Sequence, residues 1–201
     1  MSITHNLALS INSTVTGTVG LSAIQSSISA TERETAATSD AIFTETFSLV
    51  GVTAKAYDLL GSLTDPLGVA VTFDTVEALY IKNNSLTDIK VGAANNVPFF
   101  ASTSDIVYIK PGGYLYLYGS YQTTAGTGDL ITLQSATAAA DWNSGTAYTT
   151  GQVVIATGAQ DGHKYKALLT TGNTNKAPET ETTFWVLDDD EFDLIVIGTK
   201  P

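Results

Sequence analysis

An all-β fold, a jelly-roll-type β-sandwich carrying a small β module inserted before its last strand, is what this sequence predicts. Three observations predict it. Charged residues make up only 14% of the 201-residue chain, against a usual ~25%, and Thr, Ser, Gly, Val and Ile take their place; β-branched side chains suit a pleated surface and glycine supplies turns. Segments of alternating apolar and polar residues recur between turn residues at the spacing of a sandwich. Finally, the strand Asp129-Leu-Ile-Thr-Leu-Gln134 stops in the bland run 135–140, and another strand, Phe192-Asp-Leu-Ile-Val-Ile197, follows the acidic run Asp188-Asp-Asp-Glu191. So apolar a strand needs neighbours, and those lie before residue 135. Residues 141–187 then read as a guest, with both tryptophans, Trp142 and Trp185, near its ends.

The elements follow in order. Asn6–Asn12 is the first strand, with Leu7, Leu9 and Ile11 on one face. Residues 13–40 are rich in Ser, Thr, Ala and Gly; they read as one or two weak strands in an extended arm, with a possible helical turn at Ala30-Thr-Glu-Arg-Glu34. Residues 1–40 are thus expected to be a strand and arm of the sandwich, and residues 41–140 its core. Alternation marks 42–49 and 54–60 as strands, Asp65-Pro66 as a turn where proline fixes the backbone, and 69–73, 76–82 and 87–92 as further strands. Asp105–Lys110, the turn Pro111-Gly112-Gly113 and Tyr114-Leu-Tyr-Leu-Tyr118 read as a hairpin. Roughly nine strands lie outside the insertion. Residues 188–201 are expected to be a hinge and the final sandwich strand.

Composition excludes several functions. The formal net charge of −11 opposes binding to a phosphate backbone, where Lys and Arg must displace counterions, so nucleic acid is not an expected partner. There is no cysteine, hence no disulfide, thiolate nucleophile or cysteine metal site. Met1–His5 shows no basic segment leading into an apolar one, so no secretory signal is expected. No apolar run approaches the ~18 residues of a membrane span, and membrane insertion is not expected.

The chemical motifs are equally sparse. Asp188–Glu191 could supply paired carboxylates, but acid/base work needs two carboxyls in different environments; four adjacent acids read more simply as a solvated hinge whose repulsion holds the module away from the sandwich. Calcium-loop spacing is absent. His5 and His163 come from separate regions without metal-ligand spacing. Gly126-Thr-Gly-Asp129 has no lysine after it and leads into a strand, so it is a turn and not a phosphate loop. No serine sits in a Gly-x-Ser-x-Gly elbow. We therefore expect no enzyme, no metal and no cofactor. Tyr114, Tyr116 and Tyr118 share one strand face, either as a docking surface for a neighbouring subunit or as an ordinary outer sheet face with hydroxyls at the rim.

Leu60–Phe73, Val76–Lys82, Tyr108-Ile-Lys-Pro-Gly-Gly113, Thr124–Ile131 and Asp193–Thr199, in that order, resemble the middle and end of small β-sandwich proteins of tailed bacteriophages. The resemblance covers residues 41–134 and 192–199 well and the first forty loosely. It implies a virion structural protein that decorates or cements the capsid. Such a protein would be made in the host cytoplasm, sit on the capsid exterior as a homotrimer, and have the major capsid protein as partner. A Ser/Thr/Gly-rich arm, which would order best against a partner, agrees with such an anchor.

The insertion resembles another family. Trp142-Asn-Ser-Gly-Thr-Ala-Tyr148, Thr150–Val154, His163-Lys-Tyr-Lys-Ala167, Thr171-Gly-Asn173, Pro178 and Phe184-Trp185 are similar to the small chitin- and cellulose-binding modules of families five and twelve. A module of fewer than ~50 residues without disulfides must rely on buried aromatics, and Tyr165 and Trp185 are expected in its core. Where that family places exposed rings after the Tyr-x-Ala strand, this chain has Leu168 and Leu169. If a host surface glycan binds, Trp142 and Tyr148 are the candidate contacts. Two further readings are therefore a tail-associated host-recognition protein that grips a glycan through the insertion, and a secreted polysaccharide-degrading enzyme, which the missing signal and catalytic acids oppose.

Overall fold

The computed structural model describes residues 5–19 and 22–36 as backbone, and 39–50, 54–61, 63–65, 67–93, 95–99, 105–136, 139–156, 162–169, 172 and 174–201 in full. Pro66 of the expected Asp65-Pro66 turn, and Thr171 and Asn173 of the insertion pattern, lie outside the described residues. The described chain is all-β and divides into two compact units, Met1–Asp40 and Ala41–Pro201.

The first unit holds β1 (His5–Val19) and β2 (Ser22–Ala36), an antiparallel ribbon paired from His5↔Ala36 to Val19↔Ser22. This corrects the expectation for residues 1–40. The strand Asn6–Asn12 is the start of β1, which forms a two-stranded sheet with β2 and, among the described residues, is in neither four-stranded sandwich sheet. The helical turn expected at Ala30–Glu34 is part of β2, because cross-strand pairing overrides the weak helical preference of Ala, Glu and Arg.

In the second unit the elements run β3 (Ala41–Ser48), β4 (Ala54–Asp58), the two-residue strands β5 (Leu63–Thr64) and β6 (Ala70–Val71), β7 (Thr75–Asn83), β8 (Ile89–Val91), β9 (Val107–Ile109), β10 (Tyr114–Gln122) and β11 (Leu130–Ser135). The guest follows with β12 (Ala140–Asp141), β13 (Val153–Ile155), β14 (Lys164–Ala167) and β15 (Trp185–Leu187), and β16 (Glu191–Thr199) ends the order.

Two four-stranded antiparallel sheets, ordered β10-β7-β16-β3 and β4-β11-β8-β9, share one core, and the expected sandwich layering is present. Phe43, Leu79, Ile81, Phe192, Leu194 and Val196 enter it from the first sheet; Tyr57, Ile89, Ile109, Ile131 and Leu133 enter from the second. Alternation explains the sides. In β16, Phe192, Leu194 and Val196 are fully buried while Asp193 and Ile195 face outward. The pairing is nested, first strand with last and so on inward: β3 with β16, β4 with β11, β7 with β10, β8 with β9. A single long hairpin rolled into two layers has this nesting. The guest enters between β11 and β16, and β16 lies between β3 and β7.

The hairpin expected at 105–118 does not form. β9 pairs with β8 and β10 with β7, so Pro111-Gly112-Gly113 carries the chain from one sheet to the other. Asn83, at the end of β7, decides this. Its fully buried side chain donates to the carbonyls of Thr87 and Ile109 at 2.8 Å each and accepts from the Ser85 backbone N–H. Its backbone bonds Gly112 and Gly113. Gly112 has φ +70°, where the absence of a Cβ lets the corner turn.

Asn83→Ala would leave the buried Ser85 N–H without its acceptor and take a donor from the carbonyls of Ile109 and Thr87, the latter keeping the Ser85 hydroxyl. A loss of roughly 3 kcal/mol is expected in urea unfolding, and Asn83→Asp is expected to fare little better because it lacks the donor.

Candidate functional site

Three features of the second unit could carry function: the guest module, the joint that fixes it, and the outer tyrosine face.

The guest sheet is ordered β12-β13-β14-β15 and has its own core of Tyr148, Val154, Ala156, Tyr165, Ala167 and Trp185, with Trp142 and Phe184 partly buried against it. Tyr148 and Trp185 meet edge to face, ring centres 5.2 Å apart. Trp185 Nε1–H donates to the Lys176 carbonyl at 2.8 Å, and the Tyr148 hydroxyl accepts from the Asn143 N–H at 2.7 Å. Tyr165 and Trp185 thus occupy the core. Tyr148, expected as a glycan contact, is 8% exposed. A module this small without disulfides consumes its rings internally, and Tyr148 has no free face to offer a sugar. Trp142 shows part of its ring, while Leu168 and Leu169 stand 43% and 42% exposed.

The joint corrects the expectation of a solvated hinge. Asp188 and Asp190 are 3% and 1% exposed. Lys164, equally buried at 3%, places its ammonium 2.6 Å from Asp190 Oδ2. Thr87 Oγ1 donates to Asp190 Oδ1 at 2.6 Å, and the Leu86 N–H donates to Asp188 Oδ1 at 2.8 Å. Asp189 takes the Lys164 N–H at 2.8 Å and His163 Nδ1 at 2.7 Å. Lys166 Nζ donates to the Leu86 carbonyl, and the backbone of Asp189 accepts from the Leu49 N–H. Every acid of the run but the last is therefore turned into a partner from β14 or from the 84–88 loop of the sandwich. Asp190 reaches this position at φ +54°, a left-handed conformation that aspartate tolerates better than most residues.

Four carboxylates in sequence repel only while solvated side by side. Here they alternate toward different partners, and the cation that neutralises Asp190 comes from the guest. Replacing a buried pair by apolar residues is often neutral, whereas removing one partner costs about 3–5 kcal/mol, so such a joint orients more than it stabilises. Asp188 is the strained member. Desolvation pushes its pKa above the ordinary carboxylate range, opposed by the Leu86 N–H and reinforced by Asp190, and its Oδ2 is buried without a partner.

The outer face of the sheet β10-β7-β16-β3 is read directly from the register. Its rows are Tyr114–Lys82–Asp193–Thr46, Tyr116–Tyr80–Ile195–Thr44 and Tyr118–Ala78–Ile197–Ile42. Leu115 and Leu117 turn to the core. Tyr114 is 53% and Tyr118 43% exposed, and Tyr114 stacks on Tyr80 with ring centres 6.1 Å apart. Asp193 is held below the ordinary carboxylate range by hydrogen bonds from Asn84 and Thr46.

At the open side of the sandwich, between the edges β3 and β4, lies a cleft of about 500 Å³ lined by Phe43, Glu45, Lys55, Tyr57 and Asp58 among others. Lys55 Nζ sits 4.6 Å from the Phe47 ring centre. Burial, with the Glu45 carboxylate beside it, drives the Tyr57 phenol far above its ordinary pKa. Charges turned inward at two sheet edges are a known guard against strand addition, and the cleft reads as that guard. Among the described residues, no group of His, Asp and Glu could hold a metal ion.

No protein-family model, curated protein or solved structure matches the chain. Local reading of the sequence missed the joint, because its partners in the sandwich lie about a hundred residues from the acidic run and those in the guest about 25. One signal was present: a chain with nine Lys and Arg in all spends two of them in Lys164-Tyr-Lys166.

Asp190→Asn is expected to strand Lys164 and lower the melting temperature by roughly 6–15 °C. Asp188→Asn should keep the Leu86 bond, remove a desolvated charge and hold or raise it. An acid with a raised folded pKa penalises the native state above that pKa and is relieved as the pH falls through it. The advantage of Asp188→Asn over the native chain should therefore be largest near pH 7 and shrink toward pH 4 in calorimetry.

Proposed function

We propose that this protein is a non-catalytic structural component of a tailed-bacteriophage particle. In this reading it is a decoration or cement protein of jelly-roll type, seated as a homotrimer on the major capsid protein, with the inserted module facing outward from the capsid exterior. The buried joint is the observation that carries the reading. A Gly/Ser-type linker would let a tethered module sample many orientations. A module fastened through Lys164, Asp188, Asp189 and Asp190 keeps one orientation, which suits fixed display in a lattice. The nested strand pairing supports the jelly-roll part, the tyrosine face supports subunit contact, and the acidic balance of −11 suits a surface that does not engage nucleic acid.

Host recognition from the tail through a glycan has less support. Tyr148 is committed to the module core, and the exposed positions after β14 are leucines, which offer no planar π face to a pyranose.

A reconstruction of the intact virus is expected to show the chain on the capsid exterior with the guest as the outermost density. Density confined to the tail, or virions lacking the protein, would overturn the proposal.

A further inference from the structure

Lys164 and Asp190 meet almost without water. Their side chains are 3% and 1% exposed, and Nζ lies 2.6 Å from Oδ2. The carboxyl carbon is one bond past that oxygen. At ordinary hydrogen-bond angles Nζ is therefore about 3.4 Å from it, inside the range from which a positioned nucleophile attacks. Thr87 Oγ1 donates at 2.6 Å to the other oxygen, Oδ1. Charge gathers on Oδ1 when nitrogen adds to the carbon, and a donor already aimed there stabilises it. A nitrogen, a carboxyl carbon and a donor on the carbonyl oxygen thus converge in one dry site. Burying an ammonium and a carboxylate is costly, and a neutral amide in their place removes both charges. Asp190 also repels Asp188, which is 3% exposed and has an oxygen without a partner, so neutralising Asp190 relieves a second buried acid. The chain has no cysteine, whereas domains as small as the guest commonly need a disulfide or another closure.

We propose that Lys164 and Asp190 condense without an added catalyst into an amide, a covalent link from β14 of the guest to the residue that precedes β16. The first step moves a proton along the 2.6 Å contact from Nζ to Oδ2 and leaves a neutral amine against a neutral acid. The nitrogen lone pair then forms a bond to Cγ, and the π electrons of the carbonyl move onto Oδ1, held by Thr87. When they return, the Cγ–Oδ2 bond breaks. Oδ2 departs as water, with the first proton and a second one from the nitrogen. An ammonium and a carboxylate become one secondary amide and one water, with no oxidation, no reduction and no co-reactant. Proximity drives the step: well-placed intramolecular groups react as though at roughly 10⁵–10⁸ M. A closed site also excludes the water that would reverse it. The inference is independent of location on a virus, because the readout is the covalent state of the purified chain.

The purified full chain, unfolded in denaturant, is expected to weigh one water less than its sequence in intact-mass spectrometry, after allowance for loss of the first methionine. Trypsin needs a free lysine ammonium, so the peptide holding Lys164 should stay joined to the peptide holding Asp190 as one branched species. Lys164→Arg keeps a cation against Asp190, but its guanidinium stays protonated and is a poor nucleophile. That variant should have its full sequence mass and release the Asp190 peptide unbranched. A native chain at full sequence mass would overturn the proposal. So would a missing water with the Asp190 peptide released free, which marks cyclisation of an aspartate elsewhere, or a missing water that persists in Lys164→Arg. The native chain carries the readout, so the outcome does not depend on whether the variant folds.

Discussion

The arrangement depends on one buried ionic contact, Lys164 with Asp190, at the point where the chain leaves the guest and re-enters the sandwich. On one side Asp188 and Asp189 tie the guest strand β14 and the 84–88 loop to the acidic run; on the other, β16 runs straight into the middle of a sheet between β3 and β7. A buried ion pair is a poor source of net stability but an exacting one in geometry, since either partner alone is severely unfavourable. That asymmetry makes the joint a device for orientation. The guest cannot swivel without stranding Lys164, and β16 cannot slip without moving Asp190.

The remaining features follow from how a small acidic chain covers its surfaces. The sandwich closes one face of each sheet into a common core of aliphatic and aromatic residues. It protects its open side with Glu45 and Lys55, and leaves the tyrosine rows facing out. The guest builds its core largely from rings, so Tyr148, Tyr165 and Trp185 are spent on its interior beside Val154, Ala156 and Ala167. Leu168 and Leu169 are what it leaves exposed beyond β14.

What could be read locally was what burial imposes locally. Alternation in 76–82 and 192–197 is visible because one side of each strand faces the core, and the Tyr–Leu alternation of 114–118 is visible for the same reason. The aromatic core of the guest was legible because few other residues there could fill it. The hairpin at 105–118 was misread because a tight turn looks the same whether the next strand returns to its neighbour or crosses to the opposite sheet. Asn83, more than twenty residues earlier, makes that choice. The acidic run was misread for the opposite reason: solvated repulsion is the right default for four adjacent carboxylates, and only distant partners reverse it. The ribbon was underestimated because Ser, Thr and Gly dilute its period, and the register of β1 on β2 becomes visible only when both strands are laid side by side.

The nested pairing has a consequence for how the chain reaches its native state. β3 and β16 are the first and last strands of the sandwich yet lie side by side, so the layer cannot be completed until the guest has been threaded through. The guest's own ends belong to β12 and β15, at opposite borders of a four-stranded sheet, roughly 14 Å apart. Once folded, it replaces a floppy excursion of some 45 residues by a span that about four could bridge. Shortening the loop to that extent lowers the entropic cost of bringing β16 home by about 2 kcal/mol. The module that interrupts the sandwich also acts as its clasp.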